Sequence, residues 1–202
     1  MRKSLFISFM LLVGSLSYAQ IQKGDVLIGG SVLFSSAEIN SEKNNFFNFT
    51  PRVGFLLSDR TSLGPILGYD RSIREQVPTR FTGEFNISIF TFGAFMRNYM
   101  PVRENLYFFI QSSVTYGIGN RDYTTTVSNE EGDQSRFEIM LSPGFSYFIS
   151  DRLAVDVRLL TATYRDDTFD DLFGNEGEIQ LSSFSLTGGL SSVGFGLSWF
   201  LK

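Results

Sequence analysis

The sequence contains neither cysteine nor histidine. Without cysteine there are no disulfides, no thiol nucleophile and no site for a lipid anchor at a cleaved N-terminus. Without histidine the chain lacks the side chain that titrates nearest neutrality and that most often serves as a catalytic base. Only carboxylate or lysine chemistry is left to an enzyme, and the sequence holds no converging set for it, so no enzyme, cofactor or metal is expected. Tryptophan occurs once and proline five times. Beyond the first residues no apolar run approaches the roughly 20 residues that a membrane helix needs. Basic residues are outnumbered 17 to 21, a formal net charge of −4, which points away from nucleic acid. Gly117-Ile118-Gly119 and Gly194-Phe195-Gly196 open no helix and complete no nucleotide-binding fingerprint; they read as strand glycines that relieve crowding.

What is present begins with a leader. Met1-Arg2-Lys3 is cationic, Leu5 to Val13 is apolar, and Ser17-Tyr18-Ala19 offers small residues before Gln20. Residues 1–19 are therefore expected to be a removed export signal, with 20–202 a single domain. That domain alternates. Across Val26 to Phe34, Phe47 to Leu57, Phe137 to Ile149 and Val193 to Leu201, apolar or aromatic residues recur at every second position, with mostly small or polar residues between. Period two marks strands with one greasy face. In an exported chain with 22 phenylalanines and 19 glycines, that face suits the lipid side of a closed barrel.

Turns divide the alternation. Leu57-Ser58-Asp59-Arg60-Thr61 is repeated almost unchanged as Ile149-Ser150-Asp151-Arg152-Leu153, with Met100 to Asn105 as a third tight break between them. Polar stretches at Ser36 to Asn45, Ile73 to Gly83, Arg121 to Ser135 and Arg165 to Gln180 read as longer loops. Three short turns and four long loops give an all-β, eight-stranded antiparallel up-and-down transmembrane barrel, with short periplasmic turns and long external loops. The expected strands are 24–35, 46–57, 62–72, 84–99, 106–119, 136–149, 153–164 and 183–201. On the fourth, Phe85, Ile87 and Ile89 share one face while Phe90, Phe92 and Met96 share the other, which requires either a bulge or a partly aromatic inner face. Pro51, Pro65 and Pro143 fall inside strands, where bulges are expected because proline gives no ladder hydrogen bond.

Aromatic residues mark the two interfaces. Tyr99, Tyr107, Tyr147 and Trp199 lie toward the short turns, and Tyr69, Tyr116 and Tyr164 toward the loops. Tyr107 and Tyr116 are separated by roughly 23 Å of height at ordinary strand rise and tilt, close to the hydrocarbon band of such a barrel. Their odd spacing sends them to opposite faces. The stretches Gly29-Gly30-Ser31-Val32-Leu33-Phe34, Thr50 to Arg60, Gly64 to Tyr69, Phe95-Met96-Arg97-Asn98-Tyr99, Leu106-Tyr107-Phe108-Phe109 and Gly196-Leu197-Ser198-Trp199-Phe200 resemble the small outer-membrane β-barrel family of Bacteroidetes-type bacteria. The resemblance implies residence in the cell outer membrane, contact with its lipid and lipopolysaccharide, and insertion by the outer-membrane assembly machinery. That machinery reads a last strand ending in an aromatic; here Leu201 and Lys202 follow Phe200. A monomer is expected, and the family's motifs specify architecture rather than activity.

Parity then assigns the interior. With Phe47, Phe49, Val53 and Phe55 toward lipid, Asn48, Thr50 and Arg52 point inward, and so do Asp70, Gln111, Ser113, Thr115, Arg136, Glu138, Asp156 and Arg158. Eight strands enclose a space that side chains fill, so opposite charges there should pair into a plug. Two loops are acidic: Glu130, Glu131 and Asp133 in the third, and Asp166, Asp167, Asp170, Asp171, Glu176 and Glu178 in the fourth. Their spacing matches no calcium-binding loop, and they read as solvated charge. Phe169, Leu172 and Phe173 stand within that acidity as candidate external contacts. The leading expectation is a non-enzymatic structural or surface-binding barrel with a closed lumen. A narrow gated channel for ions or small solutes is the alternative. A soluble secreted ligand-carrying barrel is a third, and it requires the apolar parity to face inward.

Overall fold

The computed structural model describes residues 21–39, 42–76, 83–125, 129–170, 177–188 and 194–202. The expected export signal lies outside them, as do Leu172 and Phe173. Ten strands form one antiparallel sheet: β1 (Val26–Ile39), β2 (Glu42–Ser58), β3 (Thr61–Gln76), β4 (Gly83–Arg103), β5 (Leu106–Thr125), β6 (Asn129–Phe148), β7 (Leu153–Arg158), β8 (Leu160–Asp170), β9 (Glu178–Gly188) and β10 (Gly194–Leu201). Successive strands pair from β1 to β7, and β10 pairs with both β7 and β1, closing a ring of eight. Closure removes the edges that an open sheet would leave unsatisfied in lipid. β8 continues β7 beyond an irregular residue, Leu159, and carries β9 along its other side.

The alternation has a single sense throughout. Phe47, Phe49 and Phe55 on β2, Phe90 and Phe92 on β4, Val114 and Ile118 on β5, Ile139 and Leu141 on β6, and Phe195 and Leu197 on β10 are all exposed on the outside. Buried Arg52, Arg97, Gln111, Ser142, Ser146, Asp156 and Ser198 occupy the opposite parity. A soluble carrier with its apolar residues sealed inside is thereby overturned.

On β4 the register runs unbroken against β3, from Thr61 opposite Asn98 to Gln76 opposite Gly83. The inner-face explanation therefore holds and no bulge flips the phase: Ile89 and Phe95 are buried inside, on the same parity as buried Arg97. The prolines behave individually. Next to Pro51 and Pro65 the β2–β3 partners skip some positions, but the register is the same on either side, so the expected bulges do not form there. At Pro143 the strand keeps its register with β5 while its other neighbour slips by one residue at Leu159, whose N–H donates to the Pro143 carbonyl at 3.1 Å. Proline has no N–H to give on that side, and the partner strand absorbs the defect.

Much of each segment expected as loop is strand. Ser36 to Ile39 pairs with Glu42 to Asn45, Ile73 to Gln76 with Gly83 to Asn86, and Arg121 to Thr124 with Asn129 to Gly132. Outside the membrane neither face need be apolar, so the period-two signal fades while the hydrogen-bond ladder continues. Cross-strand polar pairs sustain it: Glu38 opposes Lys43, and Ser36 Oγ donates to Asn45 Oδ1 at 2.8 Å.

The interior has a hydrophobic floor at the short-turn end. Ile21, Leu27, Leu56, Ile66, Phe95, Tyr99, Tyr107, Phe109, Phe148, Ala154 and Phe200 form one buried cluster. Each fully buried ring contributes about 1.5–3 kcal/mol relative to exposure. Edge-on contacts link them, among them Tyr107 to Phe148 at 5.4 Å and Tyr99 to Phe200 at 6.3 Å between ring centres. Ile21 is held in place by a turn in which Gln22 N donates to Asp25 Oδ2 at 3.1 Å, and Gly24 takes a positive φ of 97° that a side chain would disfavour.

Candidate functional site

Directly above that floor, Asp156 on β7 is the hub of a buried ionic cluster. Arg52 of β2 and Arg97 of β4 each donate through a guanidinium nitrogen to Asp156 Oδ2 at 2.7 Å. Ser198 Oγ donates to the same oxygen at 2.7 Å, and Ser146 Oγ to Oδ1 at 2.6 Å. Arg97 also donates twice to Gln111 Oε1, at 3.1 and 2.7 Å. Its guanidinium carbon sits 4.0 Å from the centre of the Phe109 ring, which ties the plug to the floor by a cation–π contact. Strands from opposite parts of the wall are thus clamped through one carboxylate. Such charges persist away from water because each is paired and hydrogen-bonded.

A second tier lies toward the external end. Arg136 donates through Nε to Asp167 Oδ1 at 2.7 Å, its Nη1 lies 3.7 Å from Asp70 Oδ2, and Asn48 Nδ2 donates to Asp70 Oδ1 at 2.5 Å. Arg165 donates to Glu138 Oε2 at 3.1 and 2.8 Å. Above it, Arg121 stacks on Phe169 at 3.9 Å and on Phe85 at 5.0 Å. Phe169 lines a concavity of about 630 Å³ near the rim with Phe90, Ile118 and Gln134; it is half-buried against an arginine and does not project as a free contact.

Of the interior residues expected from parity, Arg52, Gln111 and Asp156 sit in the lower cluster, and Asp70, Arg136 and Glu138 in the upper tier. Arg158 stands between them, half-buried, with its Nη2 donating to Ser31 Oγ at 3.1 Å. Arg97, Ser146 and Ser198 join the cluster in addition to the residues expected. Arg97 lies on the strand whose two faces are both apolar, so parity alone does not expose it. Arg165 and Asp167 belong to a stretch expected as loop and instead face inward on β8.

The aromatic assignments divide. Tyr69, Tyr116, Tyr147, Tyr164 and Trp199 are exposed on the outer surface, where a phenol or indole bridges hydrocarbon and head groups. Tyr99 and Tyr107 belong inside: they are 1% and 9% exposed and pack in the floor with rings 6.4 Å apart. Their inclusion in the short-turn girdle is corrected. Proximity to a turn is shared by both faces of a strand, and only parity tells lipid from lumen.

An apolar outer band, aromatic borders and a charged interior in a ring of eight antiparallel strands describe a wall that spans lipid. Residues 5–191 match the family model described as outer membrane protein beta-barrel domain. The chain belongs to that family. No curated protein sequence matches it. Among solved structures, this outer-membrane barrel is similar to OprG from Pseudomonas aeruginosa, with 9% identity, TM-score 0.50 and coverage of 91% of this chain and 98% of that one. It also aligns with a major outer membrane protein from Thermus thermophilus, at 11% identity and TM-score 0.47 over 88% and 99% of the two chains. A third match is the N-terminal beta-barrel domain of Pseudomonas aeruginosa OprF, at 12% identity and TM-score 0.41 over 89% and 98%. At such identities OprG supports the fold alone, and the two lower scores carry no argument. The protein is an outer-membrane β-barrel protein of the cell outer membrane.

Proposed function

We propose that this barrel is non-enzymatic and acts as a structural or surface-binding element of the outer membrane, its external extensions forming the working surface and its lumen closed. The Asp156 cluster is the observation that carries this reading: two arginines from opposite strands meet one carboxylate across the bore, directly above a packed aromatic floor. An eight-stranded interior is just wide enough for side chains to fill it. The second-tier pairs reinforce the closure. Export through a leader at 1–19, a Bacteroidetes-type origin, insertion by the outer-membrane assembly machinery, contact with lipopolysaccharide and a monomeric state belong to the same reading.

Planar-bilayer conductance of the purified protein tests it, compared with Glu138→Ala and Arg158→Ala. A silent wild type with silent variants is the expected result. A steady current that changes with either substitution would replace this reading with that of a narrow channel.

A further inference from the structure

Between the aromatic floor and the rim, the interior carries more positive charge than negative. Among the described residues five arginines, Arg52, Arg97, Arg136, Arg158 and Arg165, face four carboxylates, Asp70, Glu138, Asp156 and Asp167. The acidic residues that lie outside the described chain are Asp171 and Glu176, which follow the external end of β8 at Asp170.

The imbalance is concentrated at one level. In the second tier Arg136 and Arg165 each have a carboxylate, and in the lower cluster Arg52 and Arg97 share that of Asp156. Arg158 has none among the described residues. Of the five N–H groups of its guanidinium, one is used there, Nη2 donating to Ser31 Oγ at 3.1 Å. Ser31 is buried and accepts that bond, so its own hydroxyl hydrogen is left to donate.

Arg52 shows the same shortage of acceptors. It is 4% exposed, yet its buried Nε has no hydrogen-bond partner. The two arginines approach one stretch of β1, since Arg52 lies opposite Gly29, one inner position below Ser31. The neighbouring inner positions 194 and 196 of β10 are also glycine, and the Arg158 guanidinium lies so close over Gly194 that a Cβ there would come within 3.1 Å of Nε. Arg158 stands within electrostatic reach of Arg97, and Arg52 within reach of both. Water can satisfy a stray N–H group, but it does not cancel the repulsion among three guanidiniums around one carboxylate. In a low-dielectric interior an anion does both.

We propose that this level of the lumen binds one chloride ion, held by the free N–H groups of Arg158 and by the Ser31 hydroxyl, in the positive field of Arg52 and Arg97. One negative charge matches the excess of one arginine, and a monatomic ion suits a bore that side chains nearly fill. The second tier above is wetted, Arg165 being 40% exposed, and it gives the route from the external side; the plug below is not crossed. The inference goes beyond the proposed function and does not require the lumen to conduct.

The test is urea unfolding of the full chain folded in phosphatidylcholine vesicles, with sodium chloride replaced stepwise by sodium gluconate at constant ionic strength. Gluconate is too bulky for the site. An ion bound by the folded state alone raises the folded-to-unfolded ratio about tenfold for each tenfold rise in its concentration above the dissociation constant, and the wild type should show that rise. Arg158→Gln should show none, and in gluconate it should be no less stable than the wild type, because a stranded cation has been removed. If Arg158 served only to bond Ser31, the variant would lose the same stability in both salts. Crystals of the wild type grown in sodium bromide supply a second measurement, which stands even if Arg158→Gln fails to fold: an anomalous peak is expected beside the Arg158 guanidinium. A wild type indifferent to chloride, an equal response in wild type and variant, an equal loss in both salts, or bromide absent from Arg158 would each overturn the proposal.

Discussion

Asp156 is the most consequential side chain in the molecule because so much charge depends on it. It receives bonds from Arg52, Arg97, Ser146 and Ser198, and all four donors are buried. In Asp156→Ala, two guanidiniums face each other without a counterion in a space that water does not readily fill. Losing one partner of a buried pair costs about 3–5 kcal/mol. The urea midpoint of the folded protein in lipid should fall accordingly. Adding Arg97→Met to that variant removes one stranded cation, fills its volume with apolar atoms against Phe109, and should recover part of the loss. A double variant no more stable than the single one would show that the loss comes from packing and not from charge. Alternation makes Arg52, Gln111 and Asp156 legible as interior residues, because the opposite parity of β2, β5 and β7 is plainly apolar. Arg97, Tyr99 and Tyr107 are not legible in the same way. They border an interior floor that is itself hydrophobic, so greasy residues occur on both parities and the contrast that parity relies on disappears.

At the scale of the strand, the hydrogen-bond ladder and the hydropathy pattern obey different constraints. The ladder continues wherever backbone groups can pair, whereas the pattern exists only where one face meets hydrocarbon. For this reason the membrane sections of all eight staves are readable from the sequence, while the external extensions read as loops. Pro51 and Pro65 show that a proline can sit in a barrel strand without shifting register, and Pro143 shows where the shift goes when it does occur. Glycine exerts the opposite control, by close approach. A Cβ on Gly93 would run into the carbonyl oxygen of Val114 on β5, a backbone atom that cannot swing aside. Gly93→Ala should therefore force β4 and β5 apart and destabilise by about 1–3 kcal/mol, the usual range for overpacking. Unfolding in urea, followed by the intrinsic fluorescence of Trp199, measures it. An unchanged midpoint would mean that the two strands approach less closely in the membrane than described.

The molecule as a whole is defined by which face meets lipid, and a charge placed at a chosen depth reads this directly. Leu141 on β6 is 49% exposed and lies about midway between the exposed Phe137 and Tyr147, near the middle of the apolar band. Leu57, 54% exposed, has the same outward parity but sits at the short turn after β2. An arginine at the bilayer midplane of a barrel costs about 2–4 kcal/mol, and near the interface about 0–1, because there the guanidinium reaches the head groups. Leu141→Arg should therefore be strongly destabilising in phospholipid vesicles and Leu57→Arg nearly neutral. In a barrel surrounded by water both arginines would be solvated and both changes near neutral. The gap between the two variants thus measures the dielectric outside the wall. Equal unfolding midpoints for the pair would be incompatible with a hydrocarbon band centred on Leu141.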